Sequence, residues 1–149
     1  MTVPSRGQGG PGSQGRALFL RYWLPLAAYI GLIFSGSSVH GNDLPSFLPY
    51  MDKLAHLLEY AILGLLAGRA ISGSFTGWNP AVIVFATVGL GGMVGLVDEI
   101  YQGYVPGRQR DPLDWVTDVT AIALASLVAQ IIFKRPPGGA GRSAPTPGR

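Results

Sequence analysis

An all-α integral membrane bundle of four transmembrane helices with disordered termini is the fold class this sequence predicts, on three observations. Hydrophobic residues make up 48% of the 149 residues and charged residues only 13%, against roughly 25% charged in soluble domains. Four apolar stretches, 17–34, 54–71, 80–97 and 113–133, each approach the roughly 17 to 25 residues that cross hydrocarbon as a helix. All eight carboxylates lie in or beside those stretches. Charge near hydrocarbon is costly, so it faces a bundle interior or watery cavity and marks a functional site.

Residues 1–16, MTVPSRGQGGPGSQGR, are rich in Gly, Pro, Ser and Gln and predict a disordered tail. In the first span Arg16 and Arg21 precede an uninterrupted apolar run, 22–34. That run also fits the core of a signal peptide, with Ser35-Gly36-Ser37 as small residues for cleavage. An uncleaved helix is preferred, because Arg21 can snorkel to the interface and leave the whole stretch long enough to span. The segment 35–51 holds Pro45 and Pro49 and no basic residue, so it reads as an irregular outer loop.

The second span opens at Asp52-Lys53 and is predicted to break at Ser72-Gly73-Ser74, with a helix boundary at Asn79-Pro80. In the third span Gly89, Gly91, Gly92 and Gly95 would let another helix approach closely. Pro106-Gly107 turns the chain, and Asp111-Pro112 reads as an N-cap with proline at the first helical position. The fourth span follows, then a second Gly/Pro-rich tail, 136–149. One domain, 17–135, thus lies between two tails.

With no cysteine, neither a disulfide framework nor a thiolate site is available. The formal charge of +3 does not indicate nucleic-acid binding, because most arginines flank apolar spans. Arg6, Arg16, Arg21, Arg69, Lys134, Arg135, Arg142 and Arg149 all fall on one side of the predicted topology. The positive-inside rule places that side, with both termini, in the cytoplasm of a multi-pass cell-membrane protein. Lys53, Arg108 and Arg110 are left outside among the carboxylates.

Three polar clusters follow. In Asp52-Lys53-Leu54-Ala55-His56-Leu57-Leu58-Glu59-Tyr60, Asp52, His56 and Glu59 share a helix face within roughly 60 degrees, at about 100 degrees per residue. Lys53 and Tyr60 flank that stripe. His56 titrates near neutrality and is a candidate proton donor or acceptor, while Glu59 lies deep enough to need a proton or a partner. The second cluster closes the third span: Asp98 and Gln102 lie one turn apart, beside Glu99, and Arg108 follows the Pro-Gly turn as a candidate anion grip. An internal pair of Arg108 with Asp98 or Asp114 is the alternative. In the third cluster Asp114 can assist the helix start, whereas Asp118 is too deep to cap. His40 reads as solvated.

A divalent metal is not expected, since no His-Glu-x-x-His motif is present and Lys53, Arg108 and Arg110 alternate with the carboxylates. No cofactor is expected either. Ser35, Ser37 and Ser38 lack the Gly-x-Ser-x-Gly elbow of a serine hydrolase.

Together these clusters resemble the VanZ-like family, small bacterial membrane proteins named for a member associated with resistance to the glycopeptide teicoplanin. The likeness covers about residues 17–133. It rests on Ser37-Ser38 after the first helix, on Asp52, Lys53, His56 and Tyr60 opening the second, on Asp98, Glu99 and Gln102 closing the third, and on Arg108, Asp114 and Asp118. Leu57 stands where the family usually has phenylalanine and Ala121 where it often has glycine. The resemblance implies a membrane bundle with an envelope or antibiotic-resistance role and supplies no established reaction.

Three functions are therefore expected in competition. One is an envelope factor that binds an anionic lipid or cell-wall precursor, with Arg108 and Lys53 on the anionic group. Another is an enzyme on such a lipid, with His56 and Asp52 or Glu59 as acid and base. The third is a proton-coupled carrier with Glu59 titrating. Oligomeric state is not legible.

Overall fold

The computed structural model describes residues 11–41 and 51–133, apart from the side chains of residues 11, 51 and 52. The predictions for 1–10, 42–50 and 134–149, including Asp43 and the terminal basic residues, lie outside them. Among the described residues four helices are long and apolar enough to cross a membrane: Gly12–Ser37, Lys53–Ser74, Pro80–Gln102 and Pro112–Ile132. No strand occurs among the described residues.

The first of these is composite. It runs as α1 (Pro11–Leu18), a π-helical stretch (Phe19–Trp23) and α2 (Leu24–Ser37). Pro25 explains the widened turn: it has no N–H to offer the carbonyl four residues back, and its ring would crowd that group. The carbonyl is that of Arg21, and it accepts a hydrogen bond from Arg69 Nη1 at 2.9 Å instead. Helix begins at Pro11, so residues 11–16 are helical, a correction to the predicted start at 17.

Helix α3 (Met51–Ser74) continues through the predicted breaker Ser72-Gly73. Gly73 serves a close approach there, since a Cβ on it would sit 2.6 Å from Cε1 of the Tyr22 ring. Helix α4 (Pro80–Gln102) starts as predicted, with Asn79 Oδ1 accepting from the Ala81 N–H at 2.8 Å. Helix α5 (Pro112–Ile132) is capped by Asp111, whose Oδ1 accepts from the Leu113 N–H at 2.9 Å. Between α4 and α5, Gly107 takes φ 78°, a left-handed value that glycine adopts without steric cost.

The most extensive packing joins α3 to α5, ahead of α4 against α5 and α3 against α4. Gly64 and Gly68 make the first contact possible. A Cβ at Gly64 would lie 2.9 Å from Ile122 Cα, and one at Gly68 would lie 2.9 Å from Ala129 Cβ. Their spacing is the small-xxx-small pattern that brings membrane helices together by dispersion, where apolar burial gives no drive. Of the predicted glycines, Gly91 packs on Ile122 and Gly95 on Tyr60 and Asp118, whereas Gly89 faces open space.

Polarity is inverted relative to a soluble protein. Phe85 and Ile131 are 79% and 77% exposed, while Asp98 and Asp118 are at most 1% exposed. Such a surface suits a hydrocarbon surround.

Candidate functional site

All three polar clusters converge on one end of the bundle. Antiparallel packing brings the ends of α2 and α4 beside the beginnings of α3 and α5, so residues far apart in sequence become neighbours. His56, Asp98, Glu99, Gln102, Asp114 and Asp118 are all buried there.

His56 Nδ1 lies 3.0 Å from Asp118 Oδ1, and its ring stacks on Tyr60 with centroids 6.0 Å apart and planes 4° from parallel. Asp118 is therefore the orienting partner of His56. Sequence reasoning looked to Asp52 or Glu59; the Asp52 side chain lies outside the described residues, and the partly buried Glu59 lies against α2 at Gly36. The face shared with Glu59 is real, but the contact that fixes the imidazole comes from another helix.

Gln102 Nε2 donates to Asp98 Oδ2 at 2.9 Å, the predicted one-turn pair, and to Ser37 Oγ at 3.2 Å. Next to Ser37, the Ser38 hydroxyl shares a 2.9 Å hydrogen bond with Tyr101. Glu99 Oε2 accepts from the Asp111 N–H at 3.1 Å and so ties α4 to the start of α5.

The cations lie elsewhere. Lys53 Nζ is 2.7 Å from Asp111 Oδ2 and 2.6 Å from Asp114 Oδ1. Asp111 thus does more than cap α5. The Lys53 ammonium first, and then the Leu113 N–H, hold its carboxyl below the ordinary value of 3.8. Arg108 forms neither of the predicted internal pairs. It donates to two backbone carbonyls at the end of the first span, Nε to Val39 at 3.3 Å and Nη2 to Gly36 at 3.2 Å. Arg110 lies over the Tyr104 ring, 5.2 Å from its centroid, and donates to the Ile100 carbonyl.

Four buried polar atoms are left without a hydrogen-bond partner among the described residues: Tyr60 Oη, Asp98 Oδ1, Glu99 Oε1 and Asp118 Oδ2. Leaving such a group unsatisfied costs about 1–3 kcal/mol, and more when it is charged. Their concentration at one end gives the site an unmet demand for protons, donors or a cation.

Sequence reasoning missed how Lys53, Asp111 and Asp114 combine, and no local spacing signals a contact across about 60 residues. It also missed Gly64-x-x-x-Gly68, whose spacing was readable. No family model, curated protein or solved structure matches the chain.

Proposed function

We propose that the chain is a multi-pass protein of the bacterial cell membrane, VanZ-like as its motifs suggest, with both termini in the cytoplasm. At its acidic end it binds the anionic headgroup of a lipid or lipid-linked cell-wall intermediate. The observation that carries this reading is the state of Arg108. Among the described residues its guanidinium donates to two carbonyls at 3.2 and 3.3 Å, with the Glu59 carboxylate near enough to act on it but not paired with it. A phosphate or carboxylate displaces neutral acceptors such as these carbonyls with stronger, charge-assisted bonds. Lys53, held by Asp111 and Asp114 at the start of α5, is a second cation of this end.

Binding of purified protein to vesicles with and without anionic lipid tests the reading. Arg108→Ala should remove the preference for anionic lipid, and Arg108→Lys should restore it in part. Equal binding by wild type and Arg108→Ala would sink it. Glycopeptide susceptibility of cells with and without the protein tests the envelope role, and reporter fusions after Arg135 test the orientation.

One observation favours a second reading, an enzyme acting on that lipid. With Nδ1 of His56 engaged by Asp118, Nε2 is the nitrogen left to exchange a proton with substrate, the arrangement in which a carboxylate fixes an imidazole for acid–base work. Lipid turnover by wild type but not by His56→Ala would select it.

A further inference from the structure

A buried acidic cluster repels an anionic ligand unless something of opposite charge lies between them. His56, Glu99 and Asp118 each offer a donor atom, and the three atoms lie within 4.8 Å of one another. All three residues are buried, at 6, 6 and 0% exposure. No lysine or arginine among the described residues reaches them: Lys53 is held by Asp111 and Asp114, Arg108 by carbonyls, and Arg110 by Tyr104. The charge interleaving that argued against a metal in the sequence is undone by folding.

We propose that His56, Glu99 and Asp118 bind a divalent transition-metal ion, Zn2+ or Mn2+, and that this ion meets the anionic headgroup. The inference rests on the lipid-binding reading for its second half and stands without it for its first. Donor chemistry sets the class of metal. One imidazole with two carboxylates suits Zn2+ or Mn2+ better than Mg2+ or Ca2+, which favour all-oxygen shells. Metal–ligand bonds of about 2.1 Å put donors at most about 4.2 Å apart, so donor atoms within 4.8 Å of one another lie close to the spacing a shared ion imposes.

A separate observation points to a ligand. Glu99 Oε1 and Asp118 Oδ2 have no partner among the described residues although both are buried. Gly95 crowds this spot, since a Cβ on it would lie 3.2 Å from Asp118 Oδ2 and 3.2 Å from the Tyr60 ring. Glu99 is positioned from outside the cluster by the Asp111 N–H, as ligating carboxylates commonly are. Three protein donors leave coordination positions open, the pattern of sites that bind a substrate oxygen directly. A bound dication would also explain how an anionic headgroup can approach a pocket lined by carboxylates.

The test uses the full-length protein in detergent, stripped with EDTA and dialysed against Zn2+ or Mn2+, with bound metal counted by elemental analysis. Wild type should hold about one equivalent, and Glu99→Gln and Asp118→Asn should each bind at least about tenfold more weakly. Co2+ in place of these ions should give visible absorption bands that His56→Gln alters. To separate loss of metal from failure to fold, the apo forms are compared by thermal melting. Glu99→Gln removes a charge without a cationic partner, so it should melt no lower than apo wild type. Substoichiometric binding by wild type, or equal binding by the folded variants, overturns the proposal and leaves protonated carboxyls as the state of the cluster. Phosphatidylglycerol vesicles with Zn2+ or with EDTA separate the two readings. Vesicle binding that survives EDTA in a protein without metal defeats the metal alone, and stoichiometric metal without vesicle binding defeats the lipid reading alone.

Discussion

At the acidic end of the bundle, His56 and four carboxylates are buried with unpartnered oxygens among them, whereas at the opposite end the charged groups stay at the surface and are accommodated cheaply. There Arg21 and Arg69 lie over the Tyr22 ring, 5.4 and 4.9 Å from its centroid, Arg69 caps a carbonyl that Pro25 leaves free, and Trp23 Nε1 donates to Ser74 Oγ at 2.8 Å. The difference lies in the side chains. Arginine has a long stem that lets its head leave the hydrocarbon while the stem covers apolar surface. Aspartate has no such reach, so an aspartate inside a span must be compensated where it stands. The basic end therefore needs nothing beyond the chain itself, and the acidic end holds a demand that a ligand can meet.

The largest expected effect separates the two ends by function. Asp118→Asn frees the His56 ring from its charged partner and should reduce headgroup binding or turnover by about 10²-fold, while Arg69→Gln at the other end should leave it unchanged. Equal losses in both would erase the distinction. Next comes packing, which both ends share: Gly64→Leu drives a side chain into the Ile122 backbone and should cost about 1–3 kcal/mol or more, read as lost accumulation of folded protein. Gly89→Leu, facing open space, should be tolerated.

The helix starts sharpen the contrast further. Asn79→Ala, at the basic end, removes a neutral cap and should lower stability by about 1 kcal/mol at every pH. Asp111 is also a cap, but a titrating one. Because Lys53 holds its carboxyl below the ordinary 3.8, its contribution is complete above that value and is lost as pH falls through the lowered value. Thermal melts taken downward from pH 6 should show wild type losing a small increment that Asp111→Asn lacks, and parallel curves would refute the assignment.

Much of this was legible along the chain. The spans follow from uninterrupted apolar runs, and Asn79-Pro80, Pro106-Gly107 and Asp111-Pro112 mark the turns because each acts through its own backbone. The members of the site were legible too, as carboxylates and a histidine where hydrocarbon penalises them. Their pairing was not. Lys53 meets Asp111 and Asp114, and His56 meets Asp118, only because α3 packs on α5, and that choice rests on the shape of Gly64 and Gly68 rather than on charge. The π-helical stretch was not legible in the apolar run 22–34, because which neighbour takes the carbonyl that Pro25 leaves free is decided only by packing.

The pairing of α3 with α5 also sets an order of assembly during biosynthesis. The helix that faces the Gly64–Gly68 groove is made after the third span, so the second span must wait in the bilayer, its groove open to lipid, until α5 follows. Until α5 arrives, Lys53 has neither of its carboxylates and His56 has no orienting partner. A chain interrupted after α4 would thus expose an unsated polar stripe and a bare glycine face. The site cannot mature before α5 is in place.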